Sequence, residues 1–184
     1  TSCFVTLYQP FIQFWVGKNN LLNISIPILL SLYFFIRSIG KTGYLFYEAA
    51  GLWREDFFKP YVSVLINLVT NIIMVQIIGL PGVVISSILA LVVIEIPWET
   101  KVLFKTVFKI SKKNYYFKII KYLLITTLSS VICFQACHKI PIGFIGISIM
   151  AIITVLISTA NFMLLNLNSR EIKSVKQRFL SILK

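Results

Sequence analysis

Apolar stretches of about the length that crosses a hydrocarbon core, roughly 20 residues as a helix, recur through this chain and constrain its fold more than any other feature. They lie at about 1–16, 21–50, 60–78, 82–98, 121–136 and 141–165, separated by short polar gaps. Hydrophobic residues make up 58% of the 184 positions and charged residues only 13%, with a mean hydropathy of +0.87. A water-soluble fold of that composition would have too little polar surface to cover its core. Isolated Gly and Pro residues within the stretches are tolerated by membrane helices. The expected fold is all-α: a polytopic transmembrane bundle of six spans in one domain, with a tail at 166–184.

The charge pattern supplies orientation. The chain carries 18 Lys and Arg against 6 Asp and Glu, a net charge of +12. In a soluble protein that excess would point to nucleic acid, but no basic, aromatic-interleaved binding module is present. The basic residues instead fall mainly in alternate gaps. Arg54, Lys59, seven lysines from Lys101 to Lys121 and five basic tail residues (Arg170, Lys173, Lys176, Arg178 and Lys184) lie on one side of six crossings; only Lys18 and Lys139 lie on the other. Fourteen against two is the asymmetry of the positive-inside rule. A multi-pass protein with a cytoplasmic C-terminus follows, its basic face toward anionic membrane lipids. The chain starts at Thr1 with no basic segment before its first apolar stretch. That is not a signal peptide, and we read the chain as a fragment lacking its N-terminal portion.

Three regions depart from plain hydropathy. The second stretch would be ~45 Å long as one helix, so it should tilt, protrude, or kink near Gly40 or Gly43. Gly79-Leu80-Pro81-Gly82 reads as a turn. Lys101, Lys105 and Lys109 recur every fourth residue around Leu103, Phe104, Val107 and Phe108, the pattern of an amphipathic helix on the membrane surface.

Ionisable residues within spans are costly and are candidates for function. Arg37 and Lys41, with Tyr44 and Glu48, form one helical stripe. Lining a wet cavity, the two cations would attract an anionic group such as a diphosphate; alternatively Lys41 snorkels and Arg37 pairs with an acid. Ser63, Asn67, Thr70 and Asn71 share a face, as interhelical glue or, for Asn67 and Asn71, as a sugar-binding cavity wall. Glu95 is a coupling acid or the ion-pair partner of Arg37 or Lys41, and Glu48 is a second candidate for a coupling or ion-pair acid. Thr154, Ser158 and Asn161 form a packing stripe. Cys133, Cys137 and His138 lack a fourth ligand for zinc, so no metal is expected and the cysteines read as buried helix residues. No nucleophile–base set or phosphate loop is present, and neither enzyme chemistry nor a cofactor is expected.

The stretch PFIQFWVGKNNLL, and then EAAGLWREDFFKPYVSVLINLVTNIIMVQIIGLPGVVISSILA, resembles the polysaccharide-transporter flippases of capsule and O-antigen synthesis. These belong to the multidrug/oligosaccharidyl-lipid/polysaccharide exporter superfamily. The similar elements are Pro10-Phe11-Ile12 with Trp15 and Gly17, Gly51-Leu52 with Asp56 and Pro60, then Asn67, and Gly79 with Gly82-Val83. KVLFKTVFKISKKNYYFK resembles the family's basic stretch before its last two helices. The resemblance implies that the six spans are helices seven to twelve, the C-terminal lobe of a two-lobe transporter. It further implies flipping of an undecaprenyl-diphosphate-linked oligosaccharide across the bacterial plasma membrane, beside a polymerase and other polysaccharide-assembly proteins. A multidrug or cation exporter of the same superfamily, or a membrane-embedded polymerase, are the alternatives.

Overall fold

A computed structural model describes residues 1–109 and 111–166, so the basic tail from 167 onward lies outside the described residues. These residues form helices with no strand. The described residues fall into two compact units, one from 21 to 121 and the other made of 2–20 with 122–166.

The first unit holds α2 (Ser25–Ala49), the single turn α3 (Trp53–Asp56), α4 (Lys59–Ile78), α5 (Leu80–Ala90) and α6 (Ile96–Leu103). Helix α2 is helical throughout its 25 residues, across Gly40 and Gly43, so the long stretch does not break there. It is ~37 Å long at 1.5 Å per residue, because Leu21–Ile24 stay outside it. The turn at Gly79 is tighter than expected. Gly79 takes a positive φ of 66°, and Leu80 and Pro81 already begin the next helix, Pro81 sitting where its missing N–H costs nothing. Helices α4 and α5 then pack back to back, so close that a Cβ on Gly82 would overlap the Met74 carbonyl.

Helices α5 and α6 run on as one 29-residue helix, Leu80–Phe108, through two π-helical segments, Leu91–Glu95 and Phe104–Phe108. The first π segment has a local cause. Pro97 lacks an N–H for the preceding turn, and the Ile96 N–H reaches five residues back to the Leu91 carbonyl. This helix corrects the expectation of a surface helix around Lys101, Lys105 and Lys109: Lys101 and Lys105 extend a helix of membrane-crossing length. Its end is marked by Lys109, left-handed at φ 51°, and Lys113 opens the next helix.

The second unit contains α1 (Ser2–Trp15), α8 (Phe144–Asn166) and most of α7 (Lys113–Cys137). Its interior is small and polar. Cys133 and Thr154 are fully buried; the Cys133 Sγ lies 3.8 Å from the Thr154 carbonyl and 3.6 Å from the Ser158 hydroxyl. The cysteines are therefore packing residues, as expected, and Thr154 returns its hydroxyl proton to the Met150 carbonyl of its own helix at 2.7 Å.

Across both units the usual sorting of side chains is inverted. Buried positions include Ser31, Ser63, Ser86, Ser129 and Thr154, whereas Val64, Leu65, Leu68, Ile77, Phe117, Phe144 and Ile145 are well exposed. Water would penalise that surface heavily. Small residues between helices and large apolar ones outside are the arrangement of a bundle solvated by lipid, and back-bonded Ser and Thr hydroxyls complete it. Among the described residues, four helices are long and apolar enough to cross a membrane: Trp53–Ile78, Leu80–Phe108, Lys113–Cys137 and Phe144–Asn166. Helix α2 has the length, but Arg37, Lys41 and Glu48 dilute its apolar character; α1 has only 14 residues.

Candidate functional site

The first unit forms an open cavity of about 390 Å³ whose wall includes Arg37, Lys41, Tyr44, Lys59, Glu95 and Glu99. Helix α2 supplies Arg37, Lys41 and Tyr44 at helical spacing, so all three present along one face. Glycine opens the space: Gly40 lies on the same wall, and only the Ile96 side chain, at 3.8 Å, would neighbour a Cβ there. Glu95 and Glu99 come from the facing helix, four residues apart, with Glu95 closing the π segment. π-helical turns are frequent at functional sites because they re-aim side chains within a helix.

The charges are not paired as the sequence leads one to expect. Glu95 accepts a hydrogen bond from the Ser63 hydroxyl at 2.7 Å rather than pairing with Arg37 or Lys41. The cation that does meet acids is Lys59, read from sequence as a loop residue facing the cytoplasm. It is 6% exposed, with its ammonium 2.7 Å from Glu99 and 2.9 Å from Asp56. The rings of Tyr44 and Tyr47 flank it at 5.4 and 5.6 Å, a distance at which an aromatic face attracts a cation. Tyr47 is 2% exposed, and its hydroxyl has no hydrogen-bond partner among the described residues. Burial of one cation between two carboxylates and two rings is what makes charge tolerable in an apolar bundle.

Arg37 and Lys41 are the cations of this wall that stand outside the Lys59 cluster, and Glu95, bonded to Ser63, is the carboxylate that stands outside it, so the lining as a whole carries three positive and two negative groups. Arg37 donates to the Tyr33 hydroxyl at 3.0 Å and lies over that ring, and neither cation meets an acid among the described residues. Two positive groups on an open wall can hold a phosphate or carboxylate by charge-assisted hydrogen bonds. Tyr44 stands beside them and pairs with the exposed Glu48 one turn on.

Of the seven positions singled out from sequence, Arg37, Lys41, Tyr44 and Glu95 come together on this wall. Glu48 lies at its edge through Tyr44. Asn67 and Asn71 do not line it; both are half-buried on α4, and only Ser63 of that polar face reaches the acids. Sequence reasoning missed Lys59 and Glu99. A signal existed, since Glu99 follows Glu95 by one turn and Lys59 precedes Pro60 at a helix start. No group of three or more His, Cys, Asp and Glu among the described residues could hold a metal ion.

No family model, curated protein or solved structure matches the chain.

Proposed function

We propose that this chain is one lobe of a membrane transporter that moves an anionic, lipid-linked oligosaccharide across the bacterial plasma membrane. In this reading the carrier is an undecaprenyl diphosphate. The observation that carries it is the pair Arg37 and Lys41, two cations without an acid partner on the wall of a 390 Å³ cavity among apolar helices. Such charges cost free energy in a membrane unless a ligand or water compensates them, and a diphosphate is complementary in sign and in hydrogen-bond acceptors. In this reading α2 and the segment to which the 14-residue α1 belongs add two crossings to the four apolar helices, for six, with the basic gaps and the C-terminus cytoplasmic. Alternating access by rocking of one lobe against another would carry the sugar while the polyprenyl chain stays in lipid.

The test is Arg37→Ala with Lys41→Ala in the full-length protein. Surface polysaccharide should fall several-fold at unchanged protein level, and wild-type polysaccharide from the double variant would overturn the reading. A second reading, a cation or drug exporter, draws on Glu95 and Glu99 in the same wall. It expects drug susceptibility to rise in Glu95→Gln while polysaccharide is unaffected.

A further inference from the structure

The opposite flank of the Leu80–Phe108 helix carries a second concavity, of about 640 Å³, that the cavity reading leaves unused. Its lining combines apolar residues, among them Ile94, Pro97 and Val102, with the charged residues Lys101, Lys105 and Glu55. Trp98 also lines it and is held by its indole N–H, which donates to the Glu55 backbone carbonyl at 3.1 Å. Lys101 and Lys105 are exposed and meet no acid among the described residues. One turn apart, they project from neighbouring positions of one face.

Three features identify the occupant. The helix has the length and composition of a membrane crossing, and the two lysines lie near its end at Phe108, the depth at which headgroups sit and at which Trp is enriched. Ile94 lies about 10 Å along the axis from Lys101 at 1.5 Å per residue, so Ile94 and Pro97 extend inward from the two lysines as an acyl chain extends from its phosphate. The two ammonium groups and one carboxylate of the lining leave a single net positive charge, matching one phosphodiester.

We propose that this groove is a binding site for an anionic glycerophospholipid of the phosphatidylglycerol type. Lys101 and Lys105 hold the phosphodiester, Glu55 accepts from a headgroup hydroxyl, and an acyl chain lies over Pro97 and Ile94. The site rests on the membrane character of the helix alone and is independent of what the Arg37 cavity carries.

The experiment uses Trp98 as reporter, with Trp15→Phe and Trp53→Phe removing the chain's other two indoles. The protein is reconstituted in phosphatidylcholine vesicles, a minor fraction of which is replaced by chain-brominated phosphatidylglycerol, phosphatidylethanolamine or phosphatidylcholine. Brominated phosphatidylglycerol should quench Trp98 several-fold more than either other lipid at equal mole fraction. Lys101→Gln with Lys105→Gln should reduce that quenching to the phosphatidylcholine level. Equal quenching by the three lipids in the protein that keeps both lysines overturns the proposal whether or not the lysine variant folds. Retained preference in a folded lysine variant overturns the role of the lysines.

Discussion

At Lys59 a charge that topology alone would leave in water is enclosed by Asp56, Glu99, Tyr44 and Tyr47. Removing one member of such a set leaves the others charged and buried, which costs about 3–5 kcal/mol. Lys59→Ala should therefore lower the thermal unfolding midpoint in detergent markedly, and a midpoint unchanged within error would show that the cluster is solvated. Replacing the whole set by neutral groups, Lys59→Met with Asp56→Asn and Glu99→Gln, should recover most of the loss, since a buried ion network is often no more stable than a neutral isostere. Arg37 and Lys41 behave differently. Lacking acid partners, they can be neutralised with little effect on stability, which separates a binding role from a structural one.

Helix pairing here depends on small residues. Gly82 lets α5 approach the backbone of α4 at Met74, where a methyl group would overlap the carbonyl. Gly82→Ala should cost about 1–3 kcal/mol, the usual penalty of overpacking, read as a lower unfolding midpoint; Gly143→Ala, where nothing lies within 4 Å of a Cβ, serves as the neutral control. In the second unit, Cys133 and Cys137 are buried between α7 and α8. In the folded protein a maleimide should label the partly exposed Cys3 and spare both, and labelling of Cys133 before unfolding would contradict that packing.

For the molecule as a whole, the number of crossings is the property that most needs measurement. With Cys3→Ser as background, the positions Asn19 and Ser111 are separated by α2, α4 and the Leu80–Phe108 helix. If α2 crosses, Asn19→Cys and Ser111→Cys report from opposite sides: an impermeant thiol reagent on intact cells should label Asn19→Cys, and reach Ser111→Cys only after permeabilisation. Labelling of both from one side would remove α2 from the membrane and with it the six-span arrangement.

Hydropathy and period by themselves determined that the chain is helical and that its helices are apolar on most faces, because length and composition are local properties. They also brought Arg37, Lys41 and Tyr44 into one stripe, since the 3.6-residue repeat fixes neighbours on a single helix. What lies across from that stripe is a matter of packing between helices, and only the tertiary structure decided it. Ser63 rather than a cation reached Glu95, and Lys59 rather than Arg37 took the acids. Pro97 and Lys109 likewise show local chemistry with a distant outcome. The proline widened a turn instead of ending the helix, and the lysines expected on a separate surface helix became the end of a helix of membrane-crossing length. Charge count sees a residue's sign, whereas its depth and its partner depend on how far each helix runs and which neighbour it meets.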